Sequence, residues 1–134
     1  MKVFVDTGAW MAVTVRNDKH HLQALGVLEK FQRQFVQLFT TDYVLDETLT
    51  LVRMRAGHQK AVEIGKSILD SPLIRTVNIE KQIWDEAWKI FQRYKEKVWS
   101  FTDCTSFVVM DSFQIESVFA FDKNFKQYGK KMLP

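Results

Sequence analysis

Short apolar runs rich in β-branched and aromatic residues alternate along this chain with longer segments whose apolar positions recur at helical spacing. Lys2-Val3-Phe4-Val5 reads as a buried strand that breaks at Asp6-Thr7-Gly8. Ala9 to Val13 then predicts a short helix capped by the Asp6/Thr7 pair. Asn17-Asp18 can cap a second helix, whose stripe is Leu22, Leu25, Leu28 (with Val27) and Phe31. The run from Phe35 to Thr41 predicts a second strand. A third helix from Asp42 carries Val44, Leu45, Leu49 and Val52 and stops at Gly57. Gln59 to Leu69 is amphipathic and closes at Ser71-Pro72. A strand from Ile74 to Ile79 leads into a helix bearing Ile83, Ala87, Ile90 and Phe91. Thr102-Asp103 can cap a further helix containing Phe107, Val108, Val109 and Met110. The last predicted strand, Ser117 to Phe121, ends at Asp122.

This alternation predicts an α/β fold with a mainly parallel sheet, because parallel strands need crossover connections and the helices supply them. With 134 residues and 46% hydrophobic content, the expectation is one domain spanning 1–134. Only 5 Gly and 2 Pro leave no room for a long flexible linker. The single cysteine, Cys104, excludes an internal disulfide and a Cys-based zinc site and fits a reducing compartment. No apolar stretch approaches the ~18 residues of a membrane span, and the N-terminus lacks a signal-peptide apolar region. A cytoplasmic location is therefore expected. The net charge of +3 permits a polyanionic partner without demanding one.

The positions of the acids carry more information. Asp6 falls just past the end of the first strand and Asp122 just past the end of the last, where open α/β sheets bind their ligands. Asp103 opens a helix. Glu47 lies inside one, on the face of Val44, Leu51 and Met54, whereas Asp46 points toward Thr50 and Arg53. A carboxylate turned toward an apolar face must be compensated. Taken singly, each acid could be a cap, a turn residue or a surface charge; taken together, one acidic pocket replaces four separate explanations. Carboxylates without His or Cys select hard cations, Mg²⁺ or Mn²⁺. Two such ions can activate water and steady the leaving oxygen in phosphodiester cleavage.

The residues resemble those of the PIN-domain nucleases. Val3-Phe4-Val5-Asp6-Thr7-Gly8-Ala9-Trp10 is similar to that family's opening motif, and Asp42 to Leu51 to the helix carrying its acidic residue, with Glu47 in place. Ser100 to Phe107 is similar to its third motif and Phe119 to Phe125 to its last, while Asp18-Lys19-His20-His21 resembles a helix opening of its toxin members. The resemblance covers residues 3 to about 126, with the motifs in family order. It implies a three-layer α/β/α sandwich and Mg²⁺- or Mn²⁺-dependent RNA cleavage. It also implies a homodimer and a cognate antitoxin, as in VapC-like toxins of type II toxin–antitoxin pairs. Carried over, it implies a catalytic, metal-holding quartet of Asp6, Glu47, Asp103 and Asp122. Asp6 and Asp103 would be direct ligands; Glu47 and Asp122 would act through water. Thr7, Thr102 and Ser106 could orient the carboxylates. Two positions depart from the pattern: Ala120 stands where many members have Thr, and Asn124 where many have a further acid, which weakens a second metal position.

Other readings fit less well. A haloacid-dehalogenase-type phosphatase needs an Asp where Gly8 stands, and a receiver domain needs adjacent acids at the first strand end. A catalytically silent PIN-like module binding RNA or protein is the main alternative, but it has no physical reason to keep four mutually repelling acids. Setting the quartet aside leaves 12 acids against 19 bases, or +7 around the proposed pocket. Lys123 and Lys126 flank Asp122 and are candidate RNA contacts, with Lys19, His20, His21, Arg53, Arg55, Lys130 and Lys131 as further cations. Trp10, Trp84, Trp88 and Trp99 are expected in the core or an interface, and Cys104 has no visible partner base.

Overall fold

In the computed structural model, which describes residues 1–134, β1 (Lys2–Val5) runs into α1 (Thr7–Thr14) and α2 (His21–Arg33). There follow β2 (Gln37–Thr41), α3 (Asp42–Ala56), α4 (His58–Asp70), β3 (Ile74–Val77) and α5 (Lys81–Arg93). The chain closes with α6 (Phe101–Ser112), β4 (Ser117–Phe119), α7 (Asn124–Gln127) and β5 (Lys131–Leu133). All strand pairs are parallel and the sheet order is β3-β2-β1-β4-β5. Val3, Phe4 and Val5 of the central strand are fully buried, as a strand covered on both faces requires.

The topology places the site. From β1 the chain winds outward through β2 and β3, then crosses to β4 on the other side of β1. The order therefore reverses between β1 and β4, and a crevice opens beyond the carboxyl ends of those two strands. The Asp6 N–H donates to the Phe119 carbonyl at 3.1 Å, tying the two strand ends together. Asp6 follows β1 directly and Asp122 stands in the loop just after β4, so both fall at this crevice.

Three helices end in one device. The N–H groups of Val36, Ile115 and Lys130 donate to the carbonyls of Phe31, Met110 and Phe125 at 3.0, 2.8 and 3.0 Å, with Phe35, Gln114 and Gly129 at positive φ before them. This is the Schellman ending, and each instance launches the next strand into the sheet. It also corrects the second strand's start. Phe35, at φ 51°, closes α2 and is largely exposed, so β2 begins at Gln37.

The α2 stripe differs as well. Leu22 is 82% and Leu25 39% exposed, and the packed face is Ala24, Val27, Leu28 and Phe31. A strict three-residue step drifts ~60° per step around a helix, so over the three steps from Phe31 back to Leu22 it swings ~180° to the opposite face. Met54 is likewise exposed because α3 overhangs the core at its C-terminal end. The sheet strand from Ser117 is shorter than expected, ending at Phe119, and α7 and β5 follow it. Lys131-Met132-Leu133 is three residues long, too short for periodicity to register.

Candidate metal centre

Asp6 is the residue immediately before α1, but its side chain makes no capping bond there. The helix is started by its backbone, whose carbonyl accepts from Ala9 and Trp10 at 3.1 and 3.2 Å. Its carboxylate is therefore free to face the crevice, although Asp6 is only 5% exposed. Burial pushes its pKa well above the usual carboxylate range, and the charges of Asp103 and Asp122 push it further. The backbone N–H of Thr7 opposes the shift and the charge of Glu47 adds to it.

Asp103 sits in the first turn of α6, where Ser100, not Thr102, is the cap. Ser100 Oγ accepts from the Asp103 N–H at 2.9 Å, and the Ser100 N–H donates to Asp103 Oδ2 at 3.1 Å, a reciprocal capping box. Asn124 Nδ2 donates to the same Oδ2 at 2.9 Å. Both partners fall on one oxygen, so Oδ1 stays available to a ligand. Burial raises the Asp103 pKa; the Ser100 and Asn124 hydrogen bonds lower it, and the charges of Asp122 and Glu47 raise it again. Asn124, in the place of a family acid, thus acts as a clamp on Asp103.

Glu47 comes from the middle of α3 and Thr7 Oγ1 donates to its Oε1 at 2.5 Å, fixing one carboxylate oxygen across the crevice. Asp122 Oδ1 accepts from the Asn124 N–H at 3.0 Å, an Asx turn that aims the loop after β4. All four acids line one cleft of about 400 Å³, together with Asn124, Ser100 and Arg55. Asp18 lines it too. Asp18 is not the helix cap the sequence pattern suggests: α2 starts at His21 with His20 as its uncapped N-cap residue. Asp18 Oδ1 accepts from the His20 N–H at 2.8 Å within the preceding turn, a local role that hides its position at the cleft wall.

Not every expected residue reaches the acids. Ser106 donates to the Thr102 carbonyl at 3.1 Å, the back-bond available to any helical Ser four residues on. Thr102 lines a neighbouring recess with Glu47 and Tyr43. Lys130 is not a free cation: its side chain is buried and its ammonium bonds Asp111 at 2.8 Å, beside the Tyr128 hydroxyl on the same carboxylate at 2.7 Å. Lys123 and Lys126 are exposed and make no ion pair. His20 stacks face to face on Phe121 at 4.2 Å, and His21 Nδ1 lies 2.7 Å from the Ala12 carbonyl, so the two imidazoles do not form a metal pair. Burial and the Asp103 charge push the Cys104 thiol up to about 11, an inert neighbour. Trp10 and Trp99 are buried, while Trp84 and Trp88 stack at 5.9 Å on a half-exposed face of α5.

The donor set suits a hard divalent cation. No three acidic or imidazole side chains stand in a closed ligand shell. Several acids around an open cleft is the arrangement in which Mg²⁺ keeps waters and leaves room for phosphate oxygens. Burial, and after it the neighbouring carboxylates, raise the pKa values of Asp6 and Asp103, so that a bound cation would offset the cost of holding both acids ionised. Removal of the cap is expected to loosen this arrangement. Ser100→Ala should cost about 1 kcal/mol of stability, read as a lower denaturant midpoint, and unchanged stability would show that the capping box does not hold Asp103.

An acidic crevice at the switch point of a five-stranded parallel sheet defines a class, and the chain belongs to it. It is a member of the PIN-domain family, whose model matches residues 3–131. It is 33% identical over 127 residues to the 23S rRNA-specific endonuclease VapC20 of Mycobacterium tuberculosis, covering 95% of this chain and 94% of the relative. A VapC ribonuclease of Archaeoglobus fulgidus is 26% identical, over 93% of this chain and 80% of that protein. The crystal structure of M. tuberculosis VapC20, described as a sarcin-ricin loop cleaving toxin, superposes with a TM-score of 0.88 at 32% identity, covering 96% of this chain and 95% of VapC20. VapBC2 from Rickettsia felis, bound to promoter DNA, shares the fold at a TM-score of 0.67 and 12% identity, covering 100% of this chain and 98% of the matched chain.

Proposed function

We propose that this chain is a divalent-metal-dependent endoribonuclease of the VapC type, the toxin of a toxin–antitoxin pair. The observation that carries this reading is the convergence of Asp6, Glu47, Asp103 and Asp122 on one cleft, where burial and the neighbouring carboxylates raise the pKa values of Asp6 and Asp103. The similarity to the VapC endonucleases supports RNA as the substrate class.

In this proposal Asp6 and Asp103, whose Oδ1 has no protein donor, would hold Mg²⁺ or Mn²⁺ directly, and Glu47 and Asp122 would act through water. When bound, the cation supplies charge neutralisation at the phosphate and a more acidic water. Thr7 holds Glu47 Oε1, which leaves Oε2 to orient the attacking water and accept its proton. Ser100 and Asn124 keep Asp103 from rotating. Lys123 and Lys126, exposed beside Asp122, support approach of the RNA backbone. The proposed partners are RNA, a second copy of the chain and a cognate antitoxin, with the half-exposed Trp84, Trp88 and Phe91 on α5 as the face available for protein contact. No helix is long and apolar enough to cross a membrane, and a cytoplasmic location is proposed.

Incubation of the purified protein with total ribosomal RNA tests the reading. Discrete cleavage is expected with Mg²⁺ or Mn²⁺, absent in EDTA and restored by excess metal. Cleavage indifferent to EDTA would contradict it, and no cleavage with either ion would favour a silent RNA- or protein-binding module.

A further inference from the structure

Arg55 is the one cation among the residues lining the acidic cleft. Five carboxylate residues share that cleft, yet the guanidinium makes no salt bridge within 4.0 Å and no side-chain hydrogen bond. Four exposed helical cations, among them Arg33 and Lys81, pair with acids one turn away, and others such as Arg53 and Lys66 have no such partner. What sets Arg55 apart is that it stands unpaired on the wall of a cleft lined by acids. Arg55 is exposed in the last turn of α3. Glu47, Leu51 and Arg55 follow one another at four-residue steps, so one ridge of α3 forms that wall of the cleft. At ~1.5 Å per residue, the Arg55 backbone lies about 12 Å along the helix from Glu47. With no cleft carboxylate within 4.0 Å of its guanidinium, that placement at the cleft edge suits a phosphate next to the one under attack.

We infer that Arg55 is a substrate-binding residue which grips an RNA phosphate adjacent to the bond being cut. This rests on the nuclease reading above for its substrate class, but its evidence is the unpaired guanidinium at the cleft wall. Five carboxylate residues with no fixed cation would repel the RNA backbone from the centre. A planar, permanently charged fork at the cleft edge offers two parallel N–H donors to phosphate oxygens and offsets that repulsion. Its distance from the acids makes its contribution one of binding, not of chemistry.

The test compares wild type, Arg55→Ala, Arg55→Lys and Asp103→Asn. Cleavage of total ribosomal RNA in Mn²⁺ is measured alongside fluorescence-anisotropy binding of a labelled single-stranded RNA in Ca²⁺ across a salt series. Arg55→Ala is expected to raise KM about tenfold, with a much smaller change in kcat, and to reduce the slope of log affinity against log salt by ~1. Arg55→Lys should keep the slope, because the charge remains, and recover part of the KM, because the fork is lost. A purely structural Arg55 would lower the melting temperature and leave the slope alone. Unchanged KM and slope in Arg55→Ala, with wild type cutting RNA, would overturn the inference and leave the nuclease standing. An Arg55-dependent slope in a wild type that does not cut would overturn the nuclease reading alone. A wild type that neither binds nor cuts would overturn both.

Discussion

Asp103→Asn is expected to lower RNA cleavage about a thousandfold while leaving the fold intact. The amide is nearly isosteric, and its oxygen can still accept from the Ser100 N–H that Asp103 Oδ2 now engages. What disappears is the negative charge on Oδ1, the oxygen that no protein donor occupies. Loss of one anionic ligand removes several kcal/mol of stabilisation at a hydrolytic metal, and ~4 kcal/mol corresponds to a factor of about a thousand in rate. The check is kcat/KM of separately purified wild type and variant in Mn²⁺, with melting curves run in parallel. A variant that melts like wild type and cuts equally well would mean that the nuclease is a contaminant.

Asp6→Asn is expected to do something less usual: stabilise the metal-free protein while destroying its response to metal. Asp6 is 5% exposed, and burial followed by the charges of Asp103 and Asp122 raises its pKa well above 3.8. The folded state therefore holds this proton more tightly than the unfolded chain. The stability gained this way is complete below the unfolded value near 3.8. It is lost as pH rises through the folded value, so the ionised site is a liability at neutral pH in EDTA. Asp103, raised for the same leading reason, acts in the same direction. The neutral amide removes that liability. A rise of several degrees in melting temperature is expected at pH 7 without metal, at about 4 °C per kcal/mol for a domain of this size. At pH 4 the difference between variant and wild type should shrink. Wild type, in turn, should be stabilised by millimolar Mg²⁺ or Mn²⁺, because a ligand that binds only the folded state stabilises it by mass action. The variant should not respond. A variant less stable than wild type in EDTA at pH 7 would show that Asp6 is a structural anchor instead.

The sequence pattern made the alternating architecture legible, along with the position of each acid relative to a strand or helix end. It could do so because buried parallel strands read as continuous apolar runs and because strand-end acids need no long-range information to locate. Other features were hidden by competing uses of the same residue types. Thr102 looks as good a cap as Ser100, and only the reciprocal bonds between Ser100 and Asp103 decide between them. Asn124 reads as a lost acid, yet it clamps Asp103 across 21 residues of chain. Lys130 reads as a surface cation in a basic tail, whereas it is buried against Asp111. Asp18 caps a turn and lines the cleft at once, and the local role masks the distant one. Phe35 belongs to an apolar run by composition, but the α2 ending sets its φ at 51° and removes it from the strand. Each of these was settled by specific side-chain contacts, near or distant in sequence, or by backbone conformation, neither of which hydropathy encodes.

The central claim is that the acids at the β1–β4 crevice form a binding site for a divalent cation. A titration of Mn²⁺ into the metal-free protein, with free Mn²⁺ followed by electron paramagnetic resonance, addresses it without reference to any RNA. The account predicts saturable uptake by wild type at submillimolar to millimolar Mn²⁺, and uptake lost in Asp6→Asn and in Asp103→Asn. Absence of uptake by wild type up to several millimolar, or equal uptake by both variants, would contradict it.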